Sequence, residues 1–188
     1  GITSVVETGD VNDMNAAALA LGGMTKGISP VEMAGAYTAL ANLGTYTEPV
    51  AYTKVTDRNG DIILKSTQES HEVLDPGVAW IMDDILRTTV TNGIANAAAI
   101  GVQPVAGKTG TTDDKVDAWF CGFTPQYSAS LWIGNDVNIQ LTEGSTASAR
   151  LWSKIMRQIC AKLPAASFKL APSNVIRYNG EYFISGTQ

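Results

Sequence analysis

Histidine, cysteine and long apolar runs are all scarce in this sequence, and each scarcity argues against a class of protein. The chain has one histidine, His71, and two cysteines, Cys121 and Cys160. A single histidine argues against a zinc site and against a Ser-His-Asp triad. Cys121 lies in an apolar run and Cys160 in a helical pattern, which predicts small core residues rather than a redox pair. No apolar run reaches the ~20 residues of a membrane span. We therefore expect no metal, no cofactor and no membrane contact by this segment.

Positively charged residues are also few. The chain has 13 Lys and Arg against 18 Asp and Glu, which gives a net charge of −5. A nucleic-acid-binding domain would present a basic face, so no nucleic-acid partner is expected. The acidity is read as a contribution to solubility. What is present is an ordinary core, because 45% of the 188 residues are hydrophobic, which suits one domain or a large piece of one. The chain begins in mid-pattern at Gly1, and we interpret it as a piece of a longer protein.

Four helices are predicted, at 15–21, 30–43, 76–91 and 146–163. The second begins at Ser29, where Pro30 and Glu32 complete a capping box, and it stops at Gly44. The predicted apolar positions of the third helix are Val78, Ile81, Ile85, Leu86 and Val90. Those of the last, an amphipathic helix, are Ala149, Trp152, Ile155, Met156 and Ile159.

Strands are predicted between these helices. Asn59-Gly60 separates two β-rich runs, 49–56 and 61–66, and this predicts a hairpin. Three successive strands are predicted at 102–111, 116–123 and 128–135, and the short connection through Pro125 makes the last two antiparallel. The tail offers one further strand at 175–184. Helices, an antiparallel sheet and a closing helix together predict an α+β fold in which helices flank the sheet.

The residues most suited to chemistry lie at 106–112, Ala-Gly-Lys-Thr-Gly-Thr-Thr. A cation, several hydroxyls and two glycines are close together near the end of a predicted strand. Lys108 and threonine hydroxyls can bind a carboxylate through charge-assisted hydrogen bonds, and a glycine in a strand lets a ligand backbone come close. If this is an edge strand, an extended peptide can add to it as a further strand. The segment therefore predicts a groove for a peptide with an anionic end.

A phosphate-binding loop, Gly-x4-Gly-Lys-Ser/Thr, competes for the same residues. Gly107-Lys108-Thr109 matches its end, but five residues lie between Gly101 and Gly107, where the motif has four. That loop should also open into a helix, and residues 110–115 have poor helix character. Nucleotide binding is therefore the weaker interpretation.

Lys-Thr-Gly is also a motif of penicillin-binding proteins and serine β-lactamases. Here it is followed by Asp-Ala-Trp-Phe at 117–120, Gly-Phe-Thr-Pro at 122–125 and Trp-Ile-Gly-Asn-Asp at 132–136. Upstream are Ala-Leu-Gly-Gly-Met-Thr at 20–25 and Gly-Ile-Ser-Pro-Val-Glu-Met-Ala at 27–34. Over roughly residues 1–136 the chain resembles the transpeptidase domain of the class A, bifunctional penicillin-binding proteins. Residues 1–163 are expected to form the C-terminal portion of that domain, and residues 164–188 a tail.

The resemblance implies a serine enzyme that cross-links peptidoglycan stem peptides and is acylated by penicillin. It gives Lys108 the task of keeping the site electropositive. Thr109 and Thr111 would bind the terminal carboxylate of stem peptide or β-lactam, Gly110 would leave room for the peptide, and the Thr111 N–H would serve the oxyanion hole. Lys108 and Thr111 are thus the expected catalytic residues, and 108–111 the expected substrate-binding residues. The family works outside the cytoplasmic membrane of bacteria, held by an N-terminal helix.

Two of the family's three motifs are missing. No serine here has lysine three residues later, and none has asparagine two residues later, so neither Ser-x-x-Lys nor Ser-x-Asn is present. In the family both precede Lys-Thr-Gly. We therefore expect a fold that is incomplete at its N-terminus, with a sheet completed by an N-terminal segment of the same domain as partner. A non-catalytic module that binds peptidoglycan or a partner stays open as an alternative, as does a serine β-lactamase relative.

Smaller expectations concern the surroundings of the motif. Gly93-Ile94-Ala95 stands where the family resemblance would call for a Gly-Thr-Gly-like turn, which puts the shape of that loop in question. Trp119 and Trp132 are expected to pack in the core rather than to serve as substrate platforms. Asp117 is expected to pair locally or to cap a turn.

Overall fold

A computed structural model describes residues 1–187, and its centre is a three-stranded antiparallel sheet between helices. The helices are α1 (Ala16–Ala20), α2 (Pro30–Ala41), α3 (Pro76–Thr91) and α4 (Ser145–Cys160), with a short 3-10 helix at Asn96–Ala98. The strands are β1 (Thr45–Thr47), β2 (Lys54–Thr56), β3 (Ile62–Lys65), β4 (Ser70–Glu72), β5 (Ala106–Thr111), β6 (Ala118–Phe123), β7 (Ser128–Ile133), β8 (Val175–Tyr178) and β9 (Glu181–Ile184). The predicted α+β class is confirmed.

Helix α2 begins where the capping box predicts. Ser29 Oγ accepts from the Glu32 N–H at 3.3 Å, and Glu32 Oε2 accepts from the Ser29 N–H at 3.1 Å. The other Glu32 oxygen accepts from the N–H groups of Thr3 and Ser4. These hydrogen bonds, above all the one from the Thr3 N–H, lower the pKa of Glu32 to about 2. One carboxylate thus caps a helix and fastens the first residues of the chain to it.

The central sheet has the order β5-β6-β7 with an unbroken antiparallel register. Helix α4 covers one face and α2 the other, over β6 and β7, while α3 packs against β5. Alternate side chains of β6 therefore enter two separate cores. Phe120 packs edge-on against Trp152 of α4, with ring centroids 5.0 Å apart. Phe123 points the other way, to Tyr37 of α2 and Leu86 of α3.

The two long helices bury different residues from those predicted. In α4, Ile155 and Ile159 are 45% and 47% exposed, although the sequence pattern places them on the buried face. The buried face consists of Ser148, Ala149, Trp152, Ser153, Met156 and Cys160. In α3, the predicted core positions Val78 and Ile85 are also exposed. Both helices carry apolar side chains on two faces, and packing against the sheet covers only one of them.

The tail contains a hairpin, not the single strand that the sequence suggests. Strands β8 and β9 pair antiparallel from Val175↔Ile184 to Tyr178↔Glu181, and Asn179-Gly180 forms the turn with positive φ at both residues. The tail is fastened to α3. Asn174 donates to the capping carboxylate of Asp75 at 3.0 Å, which is the largest cause of the lowered pKa of Asp75, and Tyr182 packs edge-on against Trp80 at 4.9 Å.

Several edges and apolar surfaces are uncovered in the described part of the chain. Strands β5 and β7 each have one unpaired edge there. The β2–β3 hairpin forms at Asn59-Gly60 as predicted, but all residues of its two strands are exposed, including Ile62, Ile63 and Leu64. The pairing of β1 with β4 was not predicted from the sequence. Strand β5 is also shorter than predicted, because residues 102–105 approach it as loop.

Candidate functional site

The Lys-Thr-Gly residues lie in the middle of β5, an edge strand of the central sheet. The carbonyl oxygen of Ala106 faces β6, where it lies 2.9 Å from the position a Gly122 Cβ would take. Main-chain groups alternate in direction along a strand. The main-chain groups of Gly107, Thr109 and Thr111 therefore face the edge that no described strand occupies.

Side chains already occupy part of this free edge. The Thr89 hydroxyl of α3 donates to the carbonyl of Gly107. Lys108 Nζ donates to the carbonyl of Thr109 at 2.8 Å. Lys108 is exposed, and among the described residues the ion pairs are Arg87–Asp84 and Arg150–Glu143, so its charge is unpaired there. An exposed cation thus lies over the edge of the strand.

The two threonines of the segment differ in exposure. Thr109 is only 7% exposed and shares its face of the sheet with Phe120. Thr111 is exposed, and its Oγ1 accepts from the Ser145 N–H at 3.3 Å, at the first residue of α4. Because that hydroxyl accepts from α4, its own proton is left to donate outward. Of the two hydroxyls, that of Thr111 is the more accessible to a ligand.

The two glycines of β5 differ in what surrounds them. A Cβ at Gly107 would lie 2.6 Å from Phe120 Cζ and 2.7 Å from the Cys121 carbonyl oxygen, so packing requires glycine there. A Cβ at Gly110 would meet only Trp119 Cβ, at 3.4 Å, which is ordinary contact. Nothing in the described chain therefore requires glycine at position 110.

The tryptophan pair next to the motif does not lie in the core. Trp132 is 38% exposed and Trp119 is half-buried, so the expectation of core packing is wrong for Trp132. Their rings lie 6.4 Å apart across β6 and β7, and Trp132 Nε1 donates to Asp117 Oδ1 at 2.8 Å. The local pairing expected of Asp117 is confirmed.

Sequence reasoning missed Thr89, which links α3 to β5. Besides its hydroxyl contact with Gly107, its carbonyl accepts from the Ala95 N–H at 3.0 Å. A Cβ at Gly93 would lie 2.8 Å from the Thr89 carbonyl oxygen, so the turn after α3 folds back closely on this residue. This close approach to Thr89 explains why position 93 of the turn is a glycine. A threonine within a helix gives no sequence signal for such a contact.

The cysteines are buried and unpaired, in agreement with the sequence analysis. Burial raises the pKa of the Cys121 thiol to about 11, although a hydrogen bond with Ser130 partly offsets it. A thiol with so high a pKa is a poor nucleophile. Residues 1–187 contain no cluster of three or more His, Cys, Asp or Glu side chains arranged to hold a metal ion.

No helix within the described residues combines the length and the apolar character needed to cross a membrane.

An α+β domain whose edge strand carries Lys-Thr-Gly, with the lysine exposed, is also found in known proteins. The family model described as "Penicillin binding protein transpeptidase domain" matches residues 3–157. Penicillin-binding protein 1A of Clostridium acetobutylicum is 40% identical over 172 residues, 91% of this chain and 21% of that protein. Penicillin-binding protein 1A of Aquifex aeolicus is 37% identical over 161 residues, 84% of this chain and 22% of that protein.

Solved structures show the same fold. The crystal structure of penicillin-binding protein 1A from Haemophilus influenzae matches 92% of this chain and 34% of that one, with a TM-score of 0.78 at 22% identity. PonA1 from Mycobacterium tuberculosis in complex with penicillin V matches 88% of this chain and 46% of that one, with a TM-score of 0.71 at 24% identity.

The chain belongs to the penicillin-binding protein transpeptidase family, and its relatives are of class A, as the residue pattern predicts. It spans about a fifth of the length of the curated relatives named above.

Proposed function

We propose that this chain supplies the substrate-binding strand, but not the nucleophile, of a serine-type peptidoglycan D,D-transpeptidase. The main observation in support of this proposal is the glycine at position 110. The packing of the chain explains Gly107 and leaves Gly110 unexplained. Glycine at an open edge is explained if a ligand backbone comes close from outside. An extended stem peptide that adds to β5 is such a ligand.

In this proposal Lys108 provides an exposed positive charge next to the peptide. Thr111 donates its hydroxyl proton to the terminal carboxylate, since its oxygen already accepts from the Ser145 N–H. The N–H of Thr111 faces the free edge and serves as one donor of the oxyanion hole. Thr109 contributes its edge-facing main chain, and its hydroxyl reaches the ligand only if the side chain turns from its buried position.

The reaction has two covalent steps. A serine oxygen forms an ester with the carbonyl carbon of the penultimate D-Ala, the bond to the last D-Ala breaks, and the leaving amine takes the proton. The amine of a neighbouring stem peptide then attacks the ester and frees the serine. A β-lactam acylates the same serine and blocks the second step. The longer protein would act at the outer face of the bacterial cell membrane.

The serine would come from the N-terminal part of the same domain, which is the proposed partner of this chain. The free edge of β7 and the exposed row Leu151, Ile155 and Ile159 on α4 suit such a partner, because they offer unpaired backbone and apolar area. Residues 1–163 would then be the C-terminal portion of the transpeptidase domain. Residues 164–188 would be a tail beyond it, and the contact of Asn174 with Asp75 fastens that tail to α3.

Penicillin acylation of the longer protein tests the proposal. The variant K108A should slow acylation at least about tenfold, since it removes the cation that lies over the edge of β5. The matched control is K154A, an exposed lysine on α4, which should acylate at the normal rate. Equal acylation of all three proteins would exclude Lys108 from the site. A longer protein that never takes the label would favour a binding module, and rapid hydrolysis of penicillin would favour a β-lactamase.

A further inference from the structure

We propose that Thr89 is a positioning residue that fixes where a peptide adds to β5, by occupying the Gly107 carbonyl at one end of the free edge. This inference rests on the proposed function, because it concerns the same peptide-binding strand. Thr89 lies in the last turn of α3, and its hydroxyl reaches across to β5.

The free edge of β5 is short. Only Gly107, Thr109 and Thr111 direct their main-chain groups toward it, and Thr89 already donates to the first of these. Helix α3 packs along β5, so its side chains are placed to close that end of the edge. The Thr109 carbonyl accepts from Lys108 Nζ, so the groups left for a ligand are the Thr109 N–H and the main-chain groups of Thr111. A peptide therefore finds a window of two residues rather than a continuous edge.

The window selects one register. Hydrogen-bonding positions on a strand recur every second residue, so a peptide can shift along β5 only in steps of two. One such step toward Gly107 would move the reacting carbonyl by about 7 Å, far from any group placed to attack it. Because Thr89 occupies the Gly107 carbonyl, the shifted peptide would lose its hydrogen bond there.

The position of Thr89 is held firmly. The Ala95 N–H donates to its carbonyl, and Gly93 lies close against it. Its hydroxyl also lies 2.8 Å from the Leu86 carbonyl, the usual local partner of a helical threonine. Within residues 1–187 the hydroxyl of the neighbouring Thr88 has only such a local contact, with the Asp84 carbonyl at 3.1 Å, and Thr88 is exposed. Thr88 is therefore a matched control.

The experiment uses the longer protein and the variants T89A, T89V, T89S and T88A. The probe is an N-acylated L-lysyl-D-alanyl-D-alanine tripeptide, and release of D-Ala gives kcat and KM. Penicillin acylation is measured beside it, because a compact β-lactam does not pair along the whole edge. The alanine variant exposes the Gly107 carbonyl. Valine keeps the position filled without a donor, and serine keeps the donor.

For T89A we expect kcat and KM to fall together by about threefold to tenfold, the worth of one hydrogen bond. The ratio kcat/KM should hold, because a second, unproductive register competes with the productive one. T89S, T89V and T88A should keep both constants, and penicillin should acylate all four variants normally. If T89A keeps the wild-type kcat and KM, or changes kcat alone, Thr89 does not set the register. If the protein is never acylated by penicillin, the proposed function itself fails.

Discussion

The two halves of strand β5 differ sharply although they share one strand and one short motif. At Gly107 the strand is packed against Phe120 and the Cys121 carbonyl, and a methyl group would not fit. At Gly110, three residues on, a methyl group would meet only an ordinary contact with Trp119. The first glycine is required by the fold. The second has no contact in the described chain that requires glycine, and this difference is the observation that supports the proposed ligand site.

The packed half depends on Phe120, and its removal should have the largest effect on stability. Phe120 is fully buried between β5 and Trp152. We expect F120A to lower the free energy of unfolding by about 3–5 kcal/mol, because it leaves a large cavity. Urea unfolding of the longer protein checks this. A decrease in the free energy of unfolding below about 1 kcal/mol would contradict the close packing of Phe120 against β5 and Trp152.

The variant G107A should come next. Its added methyl group has to displace Phe120 and the backbone of β6, and overpacking of this kind costs about 1–3 kcal/mol. In the same unfolding measurement, G110A should cost less than about 1 kcal/mol. In penicillin acylation the order of the two variants should reverse. G110A should slow the reaction at least about tenfold, and by more than G107A does. Equal stability losses for the two variants would break the comparison between the halves.

A third prediction concerns Asp83 on the buried side of α3. Its side chain is 4% exposed, and Oδ1 has no hydrogen-bond partner within the described residues. Burial raises the pKa of Asp83 to about 6, although Arg87 partly offsets this. The native state thus holds the proton more tightly than the unfolded state, whose value is about 3.9.

The free energy of unfolding should therefore rise as the pH falls from above 6 toward 4. This stabilisation by the protonated Asp83 is lost again as the pH rises through 6. The variant D83N should unfold with less dependence on pH over that range. At pH 7 it should be more stable by on the order of 1 kcal/mol, because it removes a buried charge. If D83N is instead less stable at pH 7, Asp83 has a charged or donating partner from outside this chain.

A fourth prediction concerns the exposed row of α4. In the longer protein, I155A should cost about 2 kcal/mol or more if the N-terminal part covers this row. The cost of I155A should be below about 0.5 kcal/mol if the row is exposed to solvent in the longer protein. R150A, a change on the same helix in an exposed ion pair, is the control and should be near neutral. We expect the larger cost for I155A, and an effect as small as that of R150A would contradict the proposed partner.

The helices and the three strands of the central sheet could be predicted from the sequence, but the buried faces could not. Helix α2 begins at Ser29 because a capping box is a local signal, independent of tertiary contacts. In α4 two rows of apolar residues compete, one through Trp152 and Met156 and one through Ile155. The outcome depends on contacts such as the Ser148 hydroxyl with the Ala118 carbonyl at 2.8 Å, which no helical period reveals.

The same limit applies to the candidate site. The motif at 108–111 could be predicted, because it is a recognisable pattern in the sequence, whereas the partner of Asp117, Trp132, lies 15 residues later on β7 and could not. Thr89 could not, because its contact with Gly107 joins a helix to a strand 18 residues later. Alternation along β7 assigns Trp132 to a face, but it does not show whether that face is covered.

Mapping the penicillin adduct shows whether the nucleophile lies outside this chain, as we propose. The longer protein is labelled with penicillin, digested, and the adduct located by mass spectrometry. We expect a single adduct on a serine outside residues 1–188, and slower labelling in K108A and G110A than in K154A. An adduct on any residue of this chain would contradict the claim that it supplies the substrate-binding strand and not the nucleophile.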